Sequence, residues 1–563
     1  MSNISKQHRE DLLNKIQQIR SFIAAAPQDA NSGNLLQYLD ELTKDVKGKK
    51  YGLVFEQHRE QIDEILDTHT PVLTEQKDLF IDNGGEMNFL IEGDNLAALK
   101  LLEKTHRGKI DVIYIDPPYN TGAKNWKYNN DYVDSNDSYK HSKWVSMMND
   151  RLSIAKKLLT DKGVLICAID ENEFASLKLI LEEVFGTNYE YVCVTIVHNP
   201  RGIQGKNFSY THEYAYFVIP KGDKIIGGRK IPETEIDWRN LRDNGGESLR
   251  SDARNCFYPI ITDGEKILGF GDVILDDKIH PKQTESIKGS FYIYPIDIQG
   301  IERKWRYARQ SVDKIKDYLR VKKTRNRYEI ELGKPFGTYR TVWIDARYDA
   351  NEYGKKMINL IVPNCSFDFP KSLWNVYDCV YAVVAENKTA KILDFFAGSG
   401  TTGHAILKLN DEDSGHREFI LCTNNENNIC RDVTYERLKT VITGKRKDGS
   451  EYNEQYNASL KYYKIDYVPI SDKLYYEYAD ELLLHIRELV ELENGINFNG
   501  NNDIAIVLTD EEMEQFVKKT KNKAKVLYRG HDVLLTAEQE HYLKKRGISV
   551  NVIPDYYYNE LNR

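Results

Sequence analysis

An α/β protein built on a mostly parallel sheet with helices on both faces is what this sequence predicts, on three observations. From residue 87 onward, short and nearly continuous apolar runs ("NFLI", "VIYI", "VLICAI") alternate with longer amphipathic segments. That is the pattern of strands buried on both faces and joined by helices. The rhythm stops over residues 220–360 and returns at 391 with "KILDFFAGSGTTGHAILKL" and "EFILCT", so one α/β domain is expected to be interrupted by an insert. Finally, two apolar runs end in residues that no core requires: "VIYIDPPYNTG" (112–122) and "LDFFAGSGTTGHA" (393–405).

The elements follow in chain order. Leu12, Leu13, Ile16, Ile19 and Ile23 recur at helical spacing, as do Leu35, Leu36, Leu39 and Leu42, so residues 1–80 read as a helical N-terminal region. Residues 81–220 read as the first part of the sheet domain. Within it Trp144, Met148, Leu152, Ala155 and Leu159 form a helical stripe that Gly163 is expected to close. Phe174, Leu177, Leu181 and Phe185 mark the next helix, and "YVCVTIV" and "YAYFVI" two further strands. Residues 221–360, rich in Gly, Asp, Arg and Tyr, form the insert, and 361–465 the second part of the sheet domain. Residues 466–563 read as a small C-terminal α/β unit for dimer or partner contacts. There Thr536 with Gln539 resembles a capping box and Gly547 a helix stop.

Bulk properties narrow the class. The chain has 563 residues and a net charge of −8. No stretch approaches the roughly 18 apolar residues of a membrane helix, and "MSNISKQHREDLL" carries no signal-peptide core. The seven cysteines stand singly, without a C-x-x-C pair, which suits a reducing cytoplasm and argues against a structural zinc site. Charge is uneven: residues 301–330 hold 11 Lys/Arg against 4 Asp/Glu.

The two strand tips carry the chemistry. In the second, Gly398 and Gly400 allow a sharp turn from strand to helix and a close backbone approach to a ligand, with Gly403 completing G-x-G-x-x-G spacing. Asp394 stands where a pyrophosphate would be repelled, so a cationic or zwitterionic nucleoside cofactor fits better, and S-adenosylmethionine is such a molecule. In the first tip the prolines stiffen the loop. Asp116 and the Pro117 carbonyl can accept from an exocyclic amino group, and Tyr119 offers a ring for stacking.

Together "DPPY" and "FAGSG", 278 residues apart from Asp116 to Asp394 in that order, resemble an amino-group DNA methyltransferase of the permuted beta group. That implies a Rossmann-like, S-adenosylmethionine-dependent methyltransferase sheet with an inserted target-recognition domain. "YGLVFEQH", "IEGDNLAALKLL", "HSKWVSMMNDRL", "NFSYTHEYAYF", "RSDARNCFYPI", "FDFPKSLW" and "TNNENNIC" extend the resemblance to the modification (Mod) subunit of type III restriction–modification systems. The resemblance implies that Asp116, Pro117, Pro118 and Tyr119 hold a flipped adenine, and that Asp394, Phe396, Gly398, Ser399, Gly400 and Thr401 line the methionine end of the cofactor. It places Asp94 near the cofactor adenine and Lys371 and Ser372 in a further cofactor-binding segment. Asp at the head of the tetrapeptide favours adenine N6 over cytosine N4. One departure is that "FILCTNN" offers Asn424 and Asn425, then Glu426, where an acid often holds the ribose; either could serve.

Arg242, Arg250, Arg254, Arg303, Lys304, Arg306 and Arg309 are the candidate contacts to double-stranded DNA. His212 and Glu213 of "THEY" are either active-site neighbours or a packed strand start, and "NTGAKNWKYNNDYVDSND" reads as a lid. No G-x-x-x-x-G-K-[ST] loop occurs, so an ATP-driven motor would lie on a partner. The resemblance implies a homodimer and a restriction (Res) helicase–nuclease subunit. Rival readings are a specificity and assembly subunit without catalysis, methylation of RNA or of a glutamine side chain, and a nicotinamide dehydrogenase.

Overall fold

The computed structural model describes the chain apart from residues 1–3, 26–34, 37, 41, 44–45, 47–57, 122, 129–130, 135–138, 205–206, 232, 325–326, 471–481, 499–500, 519–522 and 554–563. At its centre is a ten-stranded sheet. In chain order its strands are β1 (His69–Glu75), β2 (Glu86–Glu92), β3 (Ile110–Ile115), β4 (Leu159–Ile169) and β5 (Tyr189–Val197), followed by β6 (His212–Pro220), β7 (Val342–Trp343), β8 (Lys391–Asp394), β9 (Glu418–Thr423) and β10 (Ala458–Pro469). Their spatial order is β1-β10-β2-β9-β8-β3-β4-β6-β5-β7. Only β1 and β6 run against the rest, so the sheet is mostly parallel.

Both faces are covered. Helices α1 (Asn95–Thr105), α2 (Lys140–Leu158) and α3 (Phe174–Phe185) pack on one, where Trp144, Met148, Leu152 and Leu181 are buried against Ile113, Ile115 and Leu165. Helices α4 (Leu373–Val384), α5 (Thr401–Asp413) and α6 (Glu436–Thr443) pack on the other, with Ile406, Val380 and Leu438 against Val112, Ile392 and Leu421. The strands' two apolar faces therefore each have a partner layer, which is why their sequence reads as continuous apolar runs.

The crossovers diverge at the centre. From β3 the chain passes through α2 to β4 on one side. From β8 it passes through α5 to β9 on the other. Neighbouring β3 and β8 pair in parallel, Val112 with Ile392 and Ile113 with Leu393. A crevice opens at their carboxyl ends, where a doubly wound sheet binds its ligands.

Several elements differ from the sequence reading. Strand β1 lies inside the span expected to be helical. Gly163 does not close α2: the helix ends at Leu158, and Gly163 sits within β4, where a Cβ would stand 2.9 Å from the Ile110 carbonyl oxygen. It marks a close approach of two strands. The insert rejoins the sheet at β7, short of residue 360. It has its own core of Leu241, Tyr258, Ile260, Ile293, Trp305 and Ile330, with the Trp305 indole donating to the Tyr258 carbonyl at 2.8 Å. Of the N-terminal pattern, a helix covers Ile4–Ala25, and Leu35, Leu36, Leu39 and Leu42 are helical as their spacing suggests, with Leu39 buried.

The C-terminal unit has three parallel strands, Ile504–Val507, Val526–Gly530 and Ser549–Ile553. Its last helix is capped as its sequence suggests: Thr536 Oγ1 accepts from Gln539 N at 3.3 Å, Gln539 Oε1 accepts from Thr536 N at 2.8 Å, and Gly547 adopts φ 68°. Tyr528 and Ile553 pack into the main core, so the unit is fused to the sheet domain along one side. No helix among the described residues is long and apolar enough to cross a membrane.

Candidate active site

The tip of β3 turns abruptly. Two prolines end the strand, and Asn120 then adopts φ 58°, a left-handed conformation that Asn tolerates better than most residues. Its buried side-chain amide donates to the Lys140 carbonyl at 3.0 Å and to Glu173 Oε1 at 2.5 Å. The Trp144 indole donates to the Pro118 carbonyl at 2.7 Å. The loop is thus clamped to α2 from both sides. The hairpin Ala123–Tyr128 with Asp131–Asp134 follows; the Trp126 side chain lies outside the described residues.

Asp116 and Tyr119 face one another across this turn, with Tyr119 Oη 2.8 Å from Asp116 Oδ1 and 3.2 Å from Glu213 Oε2. Lys371 completes the group. Its ammonium donates to Tyr119 Oη and Glu213 Oε2 and lies 3.3 Å from Asp116 Oδ1. Burial pushes the Asp116 carboxyl above its ordinary range, and Lys371 opposes the shift. Burial would also raise Glu213, but Lys371 and His198 hold it below the ordinary carboxylate value. Lys371, despite its burial, is raised by the two carboxylates and stays charged. Of the alternatives for "THEY", then, Glu213 lies in the site. Asn375 joins it, donating to Glu213 Oε1 at 2.8 Å. Nothing in the sequence spacing singled out Asn375.

The glycine turn forms the other wall. Gly400 caps α5 in the left-handed region at φ 74°, where a side chain would be strained. Gly403 makes room for packing: a Cβ there would stand 2.8 Å from Leu438 Cδ2 and 3.0 Å from Leu421 Cδ1. Asp394 is 2% exposed. Its Oδ1 accepts from Phe396 N at 2.9 Å and its Oδ2 from Thr402 Oγ1 at 2.6 Å. Burial pushes its pKa up to about 7, and among the described residues no Lys or Arg pairs with it. Below the turn, buried Arg437 donates to Thr401 Oγ1 at 2.8 Å and reaches Ser399 Oγ at 3.3 Å. Ser399 and Thr401 thus hold the turn from beneath. Tyr114, Asp116, Phe367, Phe369, Lys371, Asp394, Phe396, Gly398, Ser399 and Thr401 line one cavity.

Asp94 stands beyond the end of β2 and caps α1, accepting from Leu96 N at 2.8 Å. Neighbouring Asn95 donates to the Phe395 carbonyl at 3.0 Å, tying this loop to the glycine turn. Ser372 is placed differently from the cofactor contact expected of it. It is 1% exposed and donates to the Arg347 carbonyl at 2.6 Å, which holds the start of α4. In the Asn424–Glu426 segment, Asn425 Oδ1 accepts from Arg431 N at 3.2 Å and Asn424 Oδ1 from Glu426 N at 3.4 Å.

Most of the candidate DNA-contacting residues of the insert are engaged inside it. Arg242 is buried and donates to the Ile296 carbonyl at 2.6 Å. Arg250 pairs with Asp276 and Glu302, Arg303 with Asp297 at 2.9 Å, Lys304 lies 4.0 Å from Asp243, and Arg309 pairs with Asp313. Arg254 is largely exposed but pairs with Asp276 at 2.8 Å. Arg306 is exposed.

An acid bonded to a tyrosine, in one cavity with a glycine turn and a second buried acid, is an arrangement suited to an enzyme acting on an amino group with a nucleoside cofactor. A DNA methylase family model matches residues 110–435, and the chain belongs to that family; it is a DNA methyltransferase. The type II methyltransferase M.KpnI of Klebsiella pneumoniae is 31% identical over 392 residues, covering 67% of this chain and 90% of that enzyme. The type III restriction-modification enzyme EcoPI Mod subunit of Escherichia phage P1 is 29% identical over 390 residues. That match covers 61% of this chain and 58% of the subunit. Among solved structures, M1.HpyAVI in complex with SAM is 12% identical with a TM-score of 0.29, covering 62% of this chain and 98% of that one.

Proposed function

We propose that this methyltransferase acts on adenine N6 in duplex DNA, takes S-adenosylmethionine as its methyl donor, and serves as the Mod subunit of a type III restriction–modification system. The observation that carries the reaction is Asp116, hydrogen-bonded by Tyr119 Oη, lining one cavity with Asp394 and the glycine turn. Chemistry on a base amino group requires the base to leave the stack, at about a few kcal/mol. Stacking on Tyr119, of roughly 1–3 kcal/mol by comparison with single-strand binders, offsets much of that. Asp116 and the Pro117 carbonyl then accept from the amino group and aim its lone pair. When bound, the donor would supply an activated methyl to that lone pair, with the thioether as leaving group and the displaced amino proton passing to solvent, while Asp116 and the Pro117 carbonyl hold the amino group in line. The buried, unpaired Asp394 fits the donor's cationic methionine end.

The insert carries the duplex, with Arg306 and Arg254 as candidate phosphate contacts. The roles divide testably. Arg306→Ala is expected to leave melting unchanged, weaken DNA binding and reduce the log–log salt slope by about one. Arg303→Ala, losing its bonds to Asp297 and to Ser248 Oγ at 2.8 Å, is expected to cost about 1–3 kcal/mol in stability. Thermal melts and salt titrations separate the two.

A homodimer and an ATP-driven Res helicase–nuclease partner complete the proposed assembly, in the cytoplasm. The deciding experiment expresses the chain alone and maps modified bases in the host DNA, with Asp116→Ala beside it. N6-methyladenine in one short motif, absent from the variant, is the expected result. Modified cytosine would move the reading to N4, and no modification would favour an assembly subunit.

A further inference from the structure

We infer that Glu213 is a positioning residue of this site: it draws the Lys371 ammonium aside so that the Asp116 carboxylate stays open to the target amino group. The inference rests on the methyl-transfer reading above and adds a residue to it.

Lys371 is the difficulty that Glu213 resolves. An ammonium is a strong donor, and this one lies 3.3 Å from Asp116 Oδ1, in the position a base amino group has to take. A closed Lys371–Asp116 pair would occupy the acceptor and cancel its charge. In the structure the ammonium is held instead by Glu213 Oε2 and Tyr119 Oη, both nearer than Asp116. Glu213 is itself fixed. It is 3% exposed, it sits at the start of β6, and its second oxygen accepts from Asn375 of α4 at 2.8 Å. Two carboxylates and one ammonium leave the group with a net charge of −1. That charge faces the place where positive charge develops on the amino nitrogen. Without Glu213 the remaining pair is neutral and closes on itself. The arrangement also accounts for a charged lysine buried under the catalytic loop: the ammonium holds the Tyr119 hydroxyl edge, so the ring stays in place for stacking.

The test uses the full chain with S-adenosylmethionine and unmodified genomic DNA, and compares wild type, Glu213→Gln, Lys371→Met and the double variant. Glu213→Gln is expected to lower kcat about 30-fold, with the KM for S-adenosylmethionine within about threefold of wild type. In the Lys371→Met background the same substitution is expected to change kcat by less than about threefold, because the ammonium it restrained is gone. The double variant is then more active than Glu213→Gln alone. A merely structural Glu213 would give equal losses in both backgrounds, and that result overturns the proposal, as does an unchanged kcat in Glu213→Gln. Should Glu213→Gln not fold, Asn375→Ser releases the far oxygen of Glu213. It is expected to lower kcat several-fold in wild type and not in Lys371→Met; equal effects in both overturn the proposal too. Wild-type protein that methylates nothing would instead sink the activity reading itself, which keeps the two failures apart.

Discussion

Replacing Asp116 with alanine is expected to lower kcat by about a thousandfold or more while leaving cofactor affinity within a few-fold. Removing a single charge-complementary hydrogen-bonding group at a reacting centre typically costs about 10²–10³ in rate, and Asp116 supplies more than one such service. Its carboxylate is the acceptor that orients the amino nitrogen, and it anchors Tyr119 Oη at 2.8 Å. The fold should survive the change, because Lys371 keeps Glu213 as a partner and the loop stays clamped by Asn120 and Trp144. The amide of Asp116→Asn retains one carbonyl acceptor, so its loss should be smaller, about a hundredfold. Single-turnover methyl transfer and calorimetric cofactor binding together check the pair. Activity in Asp116→Ala within tenfold of wild type would remove the proposed role.

The second large effect concerns Asp394 and pH. With its pKa pushed up to about 7 by burial, this carboxyl is mostly protonated at pH 6 and mostly ionised at pH 8. A cationic donor prefers the ionised form, so cofactor affinity in the wild type should rise across that window, by up to about tenfold per pH unit below the pKa. Asp394→Asn keeps the shape and can still accept from Phe396 N, but it carries no charge. Its affinity should be about 10–100-fold lower at pH 8, the worth of a charged hydrogen bond at roughly 1.5–3 kcal/mol, and nearly flat with pH. Stability moves the opposite way. The folded pKa lies above the unfolded value of about 3.9, so this group's stabilisation is complete below that value and is lost as pH rises through about 7. The cofactor-free wild type should therefore lose more stability between pH 6 and 8 than Asp394→Asn. The rise in Tm on adding S-adenosylmethionine should be larger at pH 8. A pH-independent wild-type affinity would refute the assignment.

How much of this was legible in the sequence differs from element to element. Strands such as Ile110–Ile115 and helices such as Lys140–Leu158 follow from the spacing of apolar residues, because both faces of the sheet are covered and local periodicity records which side of an element is buried. Gly163 shows where that local signal misleads: glycine marks a helix end or a tight strand approach equally well, and only the neighbouring Ile110 carbonyl distinguishes them. Ser372 is a second case. The family resemblance places it in a cofactor-binding segment, yet its hydroxyl donates to the Arg347 carbonyl. The basic run of the insert is a third, since composition counts charges but not partners. Arg303 meets Asp297 only six residues away, while Arg250 meets Glu302 across 52 residues.

The sequence by itself determined the kind of chemistry: an acid, two prolines and a tyrosine at one strand tip, a glycine turn with an acid at another, and an order of the two that matches a family. Those signals are local, because a rigid turn and a left-handed glycine are needed wherever such a tip is built. What only the tertiary structure decided is which side chains meet. Val112 and Ile392 become neighbours through strand pairing, and this brings Asp116 and Asp394 to one crevice. Glu213 and Lys371, from β6 and the start of α4, then close around Tyr119. Pairings of this kind depend on how strands are ordered and how two helical layers pack across the sheet, and no spacing along the chain encodes them.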